Sequence, residues 1–114
     1  MIRVLKCKFS NLKVTHCLFD YEGSITIPKR LMVIAGLNEY EEVFVHGKNR
    51  IRTYVMGGCD GEVQMNGWAS DKFSPDDEIH LLCFREIGEG EKYIVRIIET
   101  ENNKFKELRE IEKD

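Results

Sequence analysis

The feature that most limits what this chain can fold into is its succession of short runs rich in valine, isoleucine, threonine and aromatic residues, at 2–9, 12–18, 24–27, 42–46, 50–56, 62–65, 78–84 and 93–100. Side chains branched at Cβ and flat rings suit a pleated strand better than a helix. Clusters of glycine, asparagine and aspartate at 47–49, 57–61, 88–90 and 102–103 separate the runs and mark turns. So many short strands in 114 residues predict a mainly β fold, a small barrel or sandwich, in place of a layered α/β arrangement. One short helix is expected over 28–35, at a barrel end. Pro28 suits a first helical position, Leu31, Ile34 and Ala35 share a face, and Gly36 supplies the stop. The segment 103–114 is ambiguous: Phe105, Leu108 and Ile111 stand three apart, which suits a weak helix, while 104–108 reads equally well as a last strand. A second core would leave each half too small to bury enough surface, so 1–114 is expected to form one domain.

Charge and cysteine usage narrow the function. A net charge of -3 and a pI near 5.7 give no electrostatic basis for binding nucleic acid, which needs a surplus of Lys and Arg. The longest apolar run, 31–35, is far short of a membrane span, and charges stand where a signal peptide needs an apolar stretch. A cytoplasmic protein with no membrane partner is expected. Cys7, Cys17, Cys59 and Cys83 are scattered, without paired spacing for a metal, and three of them lie in apolar stretches as small buried hydrophobes. Cys17 and His16 are strand neighbours that point to opposite faces and so do not pair as nucleophile and base.

Three stretches can carry chemistry. In Tyr21-Glu22-Gly23-Ser24-Ile25-Thr26-Ile27, a Gly-Ser pair joins two strand-like runs. The Ser24 hydroxyl can attack the Gly23 carbonyl carbon and turn the peptide into an ester, and glycine, with no Cβ, can enter the twisted backbone this needs. A tight turn with an exposed serine explains the same residues. On 50–56, alternation puts Arg50, Arg52 and Tyr54 on one face and Ile51, Thr53 and Val55 on the other. The first face offers two guanidinium groups and a phenol to an anionic substrate, or is simply solvated. In Asn66-Gly67-Trp68-Ala69, Asn-Gly is first a turn signal, and Trp68, the only tryptophan, is either a packing anchor or a pocket wall.

In order and spacing these pieces resemble the aspartate 1-decarboxylase family. The resemblance rests on Lys6-Cys7-Lys8, Val14-Thr15-His16, the run from Tyr21 to Ile27, Arg50 with Thr53-Tyr54, and Asn66-Gly67. It implies a six-stranded double-psi β-barrel with one or two short helices, assembled as a homotetramer with sites between subunits. It also implies a chain cut between Gly23 and Ser24 into a β-chain, 1–23, and an α-chain, 24–114, spontaneously or with a maturation factor. By position, Ser24 would become a covalent pyruvoyl group that forms a Schiff base with the amine of L-aspartate, and Tyr54 would be the proton donor. Thr53 would assist cutting and touch substrate, Lys8 and Arg50 would hold the retained carboxylate, and Asn66, Gly67, Trp68 and Ala69 would border the group. The products would be carbon dioxide and β-alanine for pantothenate synthesis. Three residues depart from the family pattern: Ser10 stands where a histidine is usual, His46 where a tryptophan is common, and Trp68 where small residues follow Asn-Gly. The alternatives are a decarboxylase for another small acidic amino acid and an uncut barrel that serves as a binding module.

Overall fold

The computed structural model describes residues 1–20 and 22–114; Tyr21 of the candidate motif lies outside the described residues. The chain is mainly β. Its strands are β1 (Ile2–Lys13), β2 (His16–Leu18), β3 (Ser24–Pro28), β4 (Glu42–His46), β5 (Arg50–Gly58), β6 (Gln64–Asn66), β7 (Glu78–Ile87), β8 (Tyr93–Glu101) and β9 (Lys104–Lys113). They form one sheet in the order β2-β6-β3-β5-β4-β7-β1-β8-β9. Pairs β2/β6, β3/β5 and β1/β8 are parallel and the others antiparallel. This mixed sheet is compatible with the small barrel expected from the sequence.

Every strand-like run becomes a strand, and the differences lie at boundaries. The run 12–18 divides because Asn11 has a positive φ of 65° and the β1/β7 register shifts between Phe9 and Leu12. Leu12 and Lys13 therefore finish β1, while Thr15 turns to Val63 and opens the short β2. The ambiguous C-terminal segment is a strand. Asn102 and Asn103, both at positive φ, make the tight turn that suits the twist of a hairpin and fold β9 back along β8.

The helix α1 spans Lys29–Ala35, one residue later than expected, because Pro28 ends β3 and occupies the N-cap position. Gly36, at φ 72°, stops it as expected, and the backbone N–H of Leu37 reaches the Met32 carbonyl at 2.9 Å. A 3₁₀ helix over Gly67–Lys72 is the second short helix.

Inward side chains from nearly every strand form one apolar cluster, with Phe9, Leu12, Ile25, Ile27, Val43, Val45, Val55, Met65, Ile79, Leu81 and Ile98 fully buried. Each such side chain contributes about 1.5–3 kcal/mol of transfer free energy. Cys7 and Cys83, cross-strand partners, join this core, Cys17 is half-buried at its edge, and Cys59 is exposed. The Cys83 thiol is pushed far up by its hydrogen bond with Cys7, by burial and by the Glu41 carboxylate, which keeps it unreactive.

Candidate functional site

The centre of the site is the start of β3. Ser24 is its first residue, held between β6, where it pairs with Asn66, and β5, whose Val55 pairs with Ile25. Parallel pairing of β3 with β5 brings Thr53 to the level of Gly23 and Tyr54 to that of Ser24. Alternation along β5 then turns Thr53 inward, where it is buried, and Tyr54 outward, where it is 53% exposed. The Thr53 hydroxyl donates to the Gly23 carbonyl oxygen at 3.2 Å. Ser24, itself buried, donates through Oγ to the Glu22 carbonyl at 3.3 Å and accepts from Asn66 Nδ2 at 3.0 Å. Asn66 Nδ2 also donates to Thr26 Oγ1 at 2.9 Å.

The bond between Gly23 and Ser24 thus has a hydroxyl donor on its carbonyl oxygen and an amide that fixes the neighbouring serine oxygen. A donor at that oxygen favours the negative charge that builds there when a nucleophile adds to the carbonyl carbon. Asn66 Oδ1 is buried without a hydrogen-bond partner among the described residues. Such an orphan costs about 1–3 kcal/mol, a cost retained where an acceptor serves a function. With the Thr53 hydroxyl on the Gly23 carbonyl oxygen and Asn66 Nδ2 on the oxygen of residue 24, the donors present fit a carbonyl group at position 24.

Trp68 closes one side. Gly67, at φ 63°, turns the chain out of β6 into the 3₁₀ helix, which buries Ala69 and sends Trp68 back over Gly23. A methyl group on Gly23 would overlap Nε1 and Cδ1 of the indole. Trp68 is 52% exposed, so it is a wall of the site and not a core anchor. Gly23→Ala is therefore expected to slow any reaction at this bond by about tenfold or more, since the backbone or the ring must shift. The pair Gly23→Ala/Trp68→Ala should recover part of that rate. A time course on a denaturing gel checks both, and an unslowed single variant would contradict the close contact.

Two of the expected residues, Lys8 and Arg50, lie apart. Arg50, Arg52 and Tyr54 occupy the outer face of β5 as alternation indicates, with Arg52 held to Glu42 at 3.6 Å. Arg50 stands four residues from Tyr54, roughly 13 Å along the strand. It lines an open cavity of ≈ 410 Å³ with Phe44, His46, Ile51 and Arg52, and Ser24 does not line that cavity. Lys8, half-buried, lies on β1 between Leu82 of β7 and Ile97 of β8. Gly23, Ser24, Thr53, Asn66, Gly67, Trp68 and Ala69 come together within one chain, whereas Lys8 and Arg50 do not join them. Thr26 is a site residue that sequence reasoning missed. Its place two residues after Ser24 on one strand face was the available signal. Among the described residues no group of three or more His, Cys, Asp or Glu is arranged to hold a metal, and no helix is long and apolar enough to cross a membrane.

Comparison with known proteins shows the family. A family model described as aspartate decarboxylase matches residues 1–106. The chain belongs to the aspartate decarboxylase family. Among its relatives, the aspartate 1-decarboxylase of Chlorobium chlorochromatii is 38% identical over 111 residues, which cover 90% of this chain and 86% of that protein. The aspartate 1-decarboxylase of Chlorobaculum parvum is 41% identical over 91 residues, 75% of this chain and 71% of that one. That of Salinibacter ruber is 35% identical over 109 residues, 90% and 75% respectively. The family match includes the whole Ser24 cluster as well as Lys8 and Arg50.

Proposed function

We propose that this chain is a self-processing, pyruvoyl-dependent aspartate 1-decarboxylase. It cuts itself between Gly23 and Ser24 and then converts L-aspartate to β-alanine and carbon dioxide, the supply step for pantothenate biosynthesis. The observation that carries the reading is the hydrogen bond from the Thr53 hydroxyl to the Gly23 carbonyl oxygen, next to a serine Oγ held by Asn66.

In the cutting reaction Ser24 Oγ bonds to the Gly23 carbonyl carbon while its proton passes to the departing nitrogen, and the C–N bond breaks to leave an ester. Thr53 faces the oxygen that carries the developing charge. Loss of the Cα proton of residue 24 expels the Gly23 carboxylate and leaves dehydroalanine, from which water displaces ammonia. The pyruvoyl group so formed supplies an electron sink for the electron pair set free when a carboxylate departs.

The surrounding residues do the rest. Asn66, Gly67, Trp68 and Ala69 border position 24, and Asn66 Nδ2 holds the oxygen carried there. Tyr54, at the level of Ser24, holds the proton that replaces the lost carboxylate. Lys8 and Arg50 hold the carboxylate that stays, and a bidentate guanidinium suits that task. Arg50 is too far along β5 to serve Ser24 of its own chain, which supports a homotetramer with sites between subunits. The enzyme works in the cytoplasm with a small-molecule substrate, and the reading holds whether cutting is spontaneous or assisted by a maturation factor.

Purified protein supplied with L-aspartate should release carbon dioxide and β-alanine in equal amounts. A cut protein that releases neither would contradict the substrate assignment. The position of Trp68 over Gly23 favours another small acidic amino acid in that event. Tyr54→Phe should still be cut, yet lose roughly a hundredfold in turnover. Near-normal turnover in that variant would remove Tyr54 as proton donor.

A further inference from the structure

Three basic side chains stand in one row across the outer face of the sheet. The β4/β5 register pairs His46 with Arg50, and the β4/β7 register pairs His46 with His80. Residues directly opposite on neighbouring strands share a face, and like charges in such pairs repel. Among the described residues none of the three has an acidic partner. Arg52, one step further along β5, is the neighbour with an acid, Glu42. His46 and Arg50 line the same ≈ 410 Å³ cavity, with Phe44 and Ile51 as its apolar part. Burial, then the charge of Arg50, then that of His80, hold the His46 imidazole below its ordinary pKa. The charged and titratable groups around His46 are Arg50 and Arg52 from β5 and His80 and, by alternation, Glu78 from β7. Lys48 of the β4–β5 turn is already engaged with Asp77 at 3.0 Å. A guanidinium with no acidic partner among the described residues, flanked by an imidazole and open to a cavity, is arranged to take a carboxylate.

We propose that His46, backed by His80, completes with Arg50 a carboxylate-binding site, and that His46 is a second binding residue for the carboxylate the substrate retains. This rests on the reading that Arg50 holds that carboxylate, and it assigns His46, the cross-strand neighbour of Arg50, a second contact with it. A dicarboxylate placed between the guanidinium and the imidazole meets a bidentate donor on one side and a single N–H on the other.

The test separates this inference from the functional reading by using succinate, a dicarboxylate with no amine to react. Calorimetry of the intact protein should show succinate binding that His46→Gln weakens by about fivefold, the loss of one charge-assisted hydrogen bond. His46→Arg, which keeps an N–H donor at this position and adds a positive charge, should retain binding. In turnover of L-aspartate the His46→Gln loss should fall on KM and not on kcat. Equal succinate affinity in wild type and His46→Gln overturns the inference, as does loss of binding in His46→Arg equal to that in His46→Gln. Succinate binding decides the matter even if the wild-type protein does not decarboxylate aspartate, an outcome that overturns the functional reading alone.

Discussion

A chain carrying Ser24→Ala should remain in one piece, keep its fold and release no β-alanine. The substitution removes Oγ alone, so the start of β3 keeps its pairing with Asn66 and its place beside β5. Asn66 Nδ2 loses one acceptor and keeps the other, Thr26 Oγ1. The two lost hydrogen bonds, to the Glu22 carbonyl and from Asn66 Nδ2, cost about 1 kcal/mol each, and each kcal/mol shifts Tm by roughly 4–8 °C in a domain near this size. Without a nucleophile at position 24 the ester does not form, and without the ester no pyruvoyl group arises. Circular dichroism with a denaturing gel reads both halves of the expectation. A folded Ser24→Ala protein that is nonetheless cut after residue 23 would exclude the acyl shift.

The second large effect is expected at Thr53. Valine has nearly the shape of threonine and suits a strand, so Thr53→Val keeps the packing of a residue that is buried beside Gly23. It removes the hydroxyl that donates to the Gly23 carbonyl oxygen. Deleting one donor of this kind typically slows a reaction through a charged carbonyl oxygen by about a hundred- to a thousandfold. Thr53→Val should therefore be cut at least that much more slowly. Thr53→Ser, which restores a hydroxyl, should recover most of the rate. Equal rates of cutting in wild type and Thr53→Val would show that the hydrogen bond is structural and takes no part in the reaction.

The strands were legible because Cβ-branched and aromatic residues recur at each of them, and the two faces of β5 were legible because a strand alternates with period two. That alternation separates inward Thr53 from outward Arg50 and Tyr54. The end of β1 was not legible, since it depends on a left-handed Asn11 and a register shift set by the partner strand β7. The C-terminal segment was ambiguous because Phe105, Leu108 and Ile111 fit a helical stripe. The Asn102-Asn103 turn and pairing with β8 then decide for a strand. The cluster around Ser24 was found in outline, but its contacts join residues 30 to 42 apart in the chain, as Thr53 to Gly23 and Asn66 to Ser24. Trp68 could not be placed from sequence, because its position over Gly23 follows from a turn at Gly67 and a 3₁₀ helix. The pairing of His46 with Arg50 was available, since the two residues flank the short turn 47–49.

The central claim is that the Gly23-Ser24 bond is cut by Ser24 itself, and the mass of the purified, denatured protein tests it most directly. The expected result is two species, one of residues 1–23 ending in a free carboxylate. The other is residues 24–114, lighter by one ammonia than the same piece beginning with serine. A single species at the mass of the uncut chain, unchanged after prolonged warming, would contradict the claim.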